Sequence, residues 1–482
     1  MKRFLSHLFW SVVCVGLVAC GGGAEKGGSS TPTPATVLQA ISITPSSLSL
    51  PVGNSQAFVA TGTYSDGSSA ALTSGVVWGS NGPAVNINAG TGVATAVSAG
   101  MATVTASVGT VVGSASVAAT ALPVVGTPYR SVAAGHFHTL GVRNDGTLYA
   151  WGLNQHGQLG DATLVDKTAP VRIGSDANWK QVAAGEYHSL AIKTDGTLWA
   201  WGLNIDGQLG HAVGDTNRRT VPVQVGSDTD WMAVAAGKNH SLALKSDFSL
   251  WAWGRNASGQ LGVAAGDTSN RYVPTAVGSD TDWMAIAAGA DHSLALKNAN
   301  SLWAWGLNAN GQLGDNTTVR KEVPTAVDAT NTPNTQWVTV SAGGAHTLAV
   351  RNDGALFVWG SNAQSQLGNG LAGPLLTPTR LGLETDWQLV AAGGAHSVAK
   401  KRDGSLWTWG SNTHGQLGNG TVSVVTAPGR LGTARDWSNP VAGWDSTFGQ
   451  RNSDQLWGWG RNTEGQQGNG NLLNVLAPAV VP

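Results

Sequence analysis

The sequence predicts an all-β protein, a seven-bladed β-propeller behind a small N-terminal β-sandwich. Three observations predict it. Glycine makes up 66 of 482 residues, about twice the usual ~7 %. Charged residues are only 11 % while tryptophan reaches 21, the profile of many short strands joined by tight turns. A Trp-Gly pair then recurs at Trp151, Trp201, Trp253, Trp305, Trp359, Trp409 and Trp459, at intervals of 50, 52, 52, 54, 50 and 50 residues. The same composition excludes other classes. A net charge of −1 leaves no general basic field to hold nucleic acid. With 41 % hydrophobic residues the chain is not disordered throughout, and glycine is too frequent for a long helical protein.

The N-terminus comes first. Lys2 and Arg3 precede an apolar run from Phe4 to Ala19, a charged n-region and an h-region too short for a membrane span of ~20 residues. The run ends Leu17-Val18-Ala19-Cys20 before three glycines. It resembles the bacterial lipobox, which implies cleavage after residue 19 and a lipid on Cys20. The other cysteine, Cys14, lies in the removed segment, so the mature chain would hold no disulfide and no cysteine metal site. Residues 20–37 read as a Gly/Ser/Thr/Pro linker. Its last 17 residues span at most about 56 Å.

Residues 38–121 read as short alternating strands around Ile41–Thr44, Leu48–Leu50 and Ala57–Thr61, parted by turns such as Ser65-Asp66-Gly67. That punctuation predicts an antiparallel sandwich with Trp78 in its core. The stretches TPSSLSLPVGNSQAF, VVWGSN and GTGVATAVSAGMATVTA resemble the group-two bacterial immunoglobulin-like domain, which implies a spacer or adhesive module. Its residues carry no evident chemistry.

Residues 128–482 are the propeller. Thirteen residues before each Trp-Gly stand His138, His188, His240, His292, His346 and His396, with Ser446 in the seventh copy. Ala-Gly precedes this marker, and Asn-x-x-Gly-Gln-Leu-Gly follows the Trp, with Ser365 and Gln467 as departures. One copy reads as four strands: Val182-Ala-Ala, His188 to Lys193, Leu198 to Gly202 and Pro222-Val-Gln-Val. Asp195-Gly196 is a hairpin turn between the second and third. One four-stranded sheet per copy, seven times, predicts the propeller. AAGEYHSLAIKTDGTLWAWGLNIDGQLG is similar to the repeat family of the regulator of chromosome condensation, whose usual ring also has seven copies. The chain enters with the strand Tyr129–Ala134 and ends on Pro478-Ala-Val-Val-Pro. The expectation is that the strand near 130–134 helps to complete the last blade.

Residues repeated in every copy serve the blade. The aromatic positions are expected to fill the space between sheets, at ~150–250 Å² each. A light-sensing reading, taken from a plant ultraviolet-B receptor with this repeat, needs Gly-Trp-x-His-Thr; only Gly443-Trp444-Asp445-Ser446-Thr447 approaches it. One His per copy makes a ring of equivalent positions rather than a metal cluster. A catalytic triad is likewise a unique constellation. Neither metal, cofactor nor catalytic residue is expected.

Partner binding is expected where copies differ. The loops after Gly-Gln-Leu-Gly in copies two to four carry Arg218, Arg219, Arg271, Tyr272, Arg320 and Lys321, partly offset by Asp215 and Asp267. In copies five to seven the same loops are apolar and uncharged. Trp444 stands outside the repeat pattern and is a further candidate anchor. The connection after Pro324 is four residues longer than its counterparts.

The reading is therefore a monomeric lipoprotein of the bacterial envelope, outside the cytoplasm, on the outer membrane or cell surface. Its propeller would bind a protein or glycan, touch the membrane only through its lipid, and not bind nucleic acid. The resemblance also implies guanine-nucleotide exchange or inhibition of an envelope enzyme as alternatives.

Overall fold

The computed structural model describes residues 36–51, 55–98, 100–120, 128–327, 336–451 and 455–482. All regular structure among them is β. Cys14, Cys20 and most of the linker lie outside the described residues, as does the middle of the long connection after Pro324.

Ten strands between Leu38 and Thr120 form three small sheets. One is four-stranded, with Ser47–Pro51 parallel to the end of Val111–Thr120 and the remaining pairs antiparallel. Alternation places Ile41, Ile43, Ala94, Ala96, Val104 and Val117 on one shared core, because successive strand residues face opposite sides. Trp78 is buried there, its ring 6.5 Å from that of Phe58.

From Tyr129 onward the chain makes seven four-stranded antiparallel sheets, each of four consecutive strands in sequential order. The second comprises Trp179–Ala184, His188–Lys193, Leu198–Gly202 and Arg219–Gln224. Short turns enforce this order, since a hairpin can pair only neighbours. At Asp195-Gly196, Gly196 has φ +80°, and a Cβ there would press on Thr229 O, so glycine is favoured in this turn, although Phe248 and Asn300 hold the same place in repeats three and four at φ +64° and +56°. Gly202 sits at φ +97° beside Tyr187 O, where the third strand shifts register against the fourth.

Hydrophobic clusters lie between sheets rather than within them. Leu190, Ile192, Leu198 and Ala200 of the second sheet pack with Trp231, Val234 and Trp253 of the third. Backbone bonds at the inner edge then link sheet to sheet. His136 N donates to Gly185 O (3.2 Å), Glu186 N to Lys238 O (3.1 Å), Lys238 N to Ala290 O (3.1 Å), and Ala290 N to Gly343 O (3.3 Å). Gly344 N continues to Gly394 O (3.2 Å), Gly394 N to Trp444 O (2.9 Å), and Trp444 N returns to Gly135 O (3.2 Å). At the centre the Ala-Gly ends of all seven first strands line a narrow channel of about 110 Å³.

One expectation is corrected. The strand Tyr129–Ala134 pairs only within its own sheet, with His138–Arg143. The last sheet is complete without it, ending on Val475–Val480. The reason is the hairpin order: the strand before each Ala-Gly opens its own sheet. The first and last sheets of this region meet by packing, where Tyr129 and Trp151 join Phe448, Leu456 and Val481.

Candidate partner-binding face

Second strands begin, and third strands end, at one edge of each sheet. The Ala-Gly-x-x-His turns and the Gly-Gln-Leu-Gly loops therefore share one face. Leu203 N, for example, donates to Tyr187 O at 2.8 Å.

The six histidines do not face solvent there; each is at most 1 % exposed. They staple adjacent sheets. His138 Nε2 lies 2.8 Å from Ser189 Oγ, and the pairs His188–Ser241, His240–Ser293, His346–Ser397 and His396–Thr447 repeat it at 2.9–3.1 Å, while His292–Thr347 is longer at 3.4 Å. The hydroxyl already donates to the preceding glutamine carbonyl, as Ser189 does to Gln158 O at 2.7 Å. The imidazole must then donate from Nε2–H and is neutral. Burial pushes His138, His188, His240 and His346 down to about 3, and His292 and His396 to about 4.

The same glutamine carbonyls accept a second bond from the next sheet. Trp201 Nε1 reaches Gln158 O and Trp253 Nε1 reaches Gln208 O, each at 2.9 Å. Trp305, Trp359, Trp409 and Trp459 repeat this at 2.9–3.0 Å, and Trp151 closes on Gln466 O at 2.8 Å. All seven are fully buried. The remaining repeated aromatics clasp a cation at the opposite edge. Lys193 Nζ sits 4.6 and 3.9 Å from the Trp179 and Trp199 rings, and bonds Asp176 at 2.7 Å.

The basic loop residues are on the shared face, but most are matched within their own loop. Arg219 pairs with Asp215 at 2.7 Å, Arg271 with Asp267, Arg320 with Glu322 at 3.0 Å, and Lys321 with Asp315 at 3.0 Å. Arg218 is exposed. Its charge helps burial to hold nearby His156 below the usual imidazole range. The Tyr272 ring packs on the turn of the preceding repeat, 2.6 Å from where a Cβ on Gly207 would stand. Thr220, Glu322 and Leu376 hold the equivalent place, so Tyr272 is mainly a spacer between repeats.

Trp444 lies at the mouth of the central channel. Its ring stacks on His136 with centroids 3.9 Å apart. Its other contacts are Gly394, where a Cβ would come within 2.8 Å, and Gly344. It bridges the last repeat to the first. Around it stand residues the sequence reasoning passed over. Phe137 stacks on Tyr187 at 5.6 Å, Arg461 lies 5.1 Å over Phe137, and Glu186 meets Lys238 at 3.7 Å. Their signal was available: the two positions between Ala-Gly and His read His-Phe, Glu-Tyr, Lys-Asn, Ala-Asp, Gly-Ala, Gly-Ala and Trp-Asp. The mouth is thus aromatic and charged beside repeats seven, one and two, and bare beside five and six. Among the described residues no group of three His, Cys, Asp or Glu is placed to hold a metal.

Comparison with known proteins agrees with this architecture. The RCC1-like domain family matches residues 16–332. The regulator of chromosome condensation (RCC1) repeat matches 337–366 and 387–416, and again 353–399 and 403–449. The human probable E3 ubiquitin-protein ligase HERC4 is 39 % identical over 257 residues, 52 % of this chain and 24 % of that protein. The ultraviolet-B receptor UVR8 of Arabidopsis thaliana is 29 % identical over 204 residues, 42 % of this chain and 46 % of that one. The chain therefore spans less than half the length of these curated relatives. Human WBSCR16 in its crystal structure superposes with a TM-score of 0.64 at 24 % identity, covering 70 % of this chain and 94 % of that one.

Proposed function

The chain belongs to the RCC1-like domain family, and on that premise we propose that it is a non-catalytic protein-binding module built on a β-propeller of seven blades. One observation carries the reading: the loops of repeats two to four hold a row of arginines on one rim in fixed poses. Arginine is enriched at protein interfaces. The ion pair within each loop orders it before a partner arrives, which lowers the entropy cost of binding. Exposed Ile205, Val213 and Val319 stand among them, and Arg218 has its guanidinium open to an acidic group on the partner.

The N-terminal part completes the proposal. The strands from Leu38 to Thr120 serve as an immunoglobulin-like spacer. Cys20 carries the lipid, and the propeller stands outside the cytoplasm at a bacterial envelope. Radioactive palmitate is expected to label the wild-type chain and not Cys20→Ser; equal labelling of the two, or none, overturns the anchor.

Affinity capture from envelope extracts with the full chain tests the rim. Retention of a defined protein is expected to fall at least ~10-fold in Arg218→Ser/Arg320→Ser, with the fold unchanged because both side chains are exposed. Equal capture by both forms removes the arginine rim as the binding surface.

A further inference from the structure

The same face has a second sector of different chemistry. The loops of repeats five, six and seven run Asn369–Pro374, Asn419–Val424 and Asn469–Asn474 and hold no charged residue. At their tips Leu371 is 67 % and Leu473 75 % exposed, and Val422, Val424 and Leu472 are exposed beside them. The three loops are contiguous. Each lies on the outer strand of the next repeat, with Gly370 N donating to Thr426 O (3.2 Å), Gly420 N to Leu476 O (2.8 Å) and Gly470 N to Thr168 O (2.8 Å). The arc ends at repeat one, where exposed Leu164 and Val165 stand beside Asp161, Asp166 and Lys167.

The polar groups of these loops are turned inward. Asn369 Oδ1 accepts from Leu371 N at 3.1 Å, Asn419 Oδ1 from Thr421 N at 3.1 Å, and Asn471 Oδ1 from Leu473 N at 2.8 Å. Asn362, Asn412 and Asn462 bond the loop carbonyls from beneath, at 2.7–3.0 Å. The tips thus present aliphatic side chains over loops that are pinned to the fold at Gly370, Leu371, Gly420, Thr421, Gly470, Asn471 and Leu473. Each such bond lowers the cost of taking that loop out of water.

We propose that this arc is a membrane contact, in which five aliphatic loop-tip side chains enter the interfacial layer of a lipid bilayer. A bilayer is favoured over a protein because the loops of repeats five to seven carry no charged or aromatic side chain, the groups that give protein interfaces their specificity. A planar apolar surface is also one that adjacent loop tips touch together. The chain ahead of the folded part points the same way. It holds the apolar run Phe4–Ala19 and Cys20, and the linker before Leu38, at most about 56 Å long, keeps the folded part near the surface that anchors it. For this setting the inference rests on the envelope placement proposed above. The contact itself needs no lipid on Cys20 and leaves the arginine rim free.

Vesicle flotation tests it with the chain from Gly21 to Pro482, which keeps every described residue and lacks the apolar run and Cys20. The chain is expected to float with phosphatidylcholine vesicles, equally at about 0.05 and about 0.5 M salt, since no charge takes part. Leu371→Asp/Val422→Asp/Leu473→Asp is expected to reduce the bound fraction at least ~10-fold. Leu383→Asp, 87 % exposed on the opposite face, leaves it unchanged. Four results overturn the proposal: no flotation, equal flotation of the triple variant, flotation lost at the higher salt, or a dimer in sedimentation that the triple variant abolishes. The capture experiment on the arginine rim reads a different surface, so the two readings fail separately.

Discussion

Between pH 7 and pH 5 the repeat region is expected to lose on the order of 10 kcal/mol of stability. The cause is the set of six buried staple histidines. Folded, they are held down to about 3 or 4 by burial; unfolded, they titrate near 6.5. The folded pKa is depressed and the neutral form is the folded one. Below pH 6.5 the unfolded chain takes up protons that the fold refuses, so stability falls as pH falls. At pH 5 each histidine costs about 2 kcal/mol, from 1.5 pH units at ~1.4 kcal/mol each. Six of them approach the whole ~5–15 kcal/mol of a typical domain. Urea unfolding followed by tryptophan fluorescence at pH 7, 6 and 5 reads the loss directly. His240→Gln/His292→Gln should flatten the pH slope by about a third while lowering stability at pH 7. A midpoint that stays level from pH 7 to 5 would show that the histidines are not buried as neutral groups.

Replacing Trp444 with alanine is expected to cost about 3 kcal/mol and to open the seam between the last sheet and the first. Six of the seven seams carry a His-to-hydroxyl staple; this one has Ser446 in that place. Its buried apolar cluster is also small, Tyr129, Trp151, Phe448, Leu456 and Val481. Trp444 compensates by stacking on His136 across the seam. Losing a large, half-buried ring on that contact gives a cost at the lower end of the ~3–5 kcal/mol for core aromatics. Hydrogen exchange should then show Tyr129–Ala134 and Trp437–Ala442 losing protection before any other first strand. Ser446→His should recover about 1 kcal/mol by donating to Thr139 as its counterparts do. If Trp444→Ala leaves protection at the seam unchanged, Trp444 is no clasp and belongs to a partner.

Much of this was legible because it is periodic. The Trp-Gly pairs, the histidines and the hairpin Asp-Gly turns gave four strands per copy, and sheets appear at those places. The repeated Trp positions were readable as packing because one copy's burial is every copy's burial. What periodicity cannot carry is a contact between residues that occur once. Trp444 and His136 are 308 positions apart, and no spacing rule links them. The strand at the start was misassigned because its partner was sought at the far end of the chain, when a hairpin neighbour was available. The poses of the basic rim were legible only in part. Asp215–Arg219 and Asp267–Arg271 stand four apart, and that spacing already matched each charge to a neighbour.

The backbone bonds that pass from His136 round to Trp444 and back to Gly135 form a hoop. A straight stack of repeats has two outer units that fray and need caps; a hoop has none. Its circumference is fixed by a whole number of units, so one repeat can be neither lost nor gained without re-curving all the others. The covalent start and finish then become a matter of bookkeeping: a chain cut at another outer turn and rejoined at the seam would describe the same hoop.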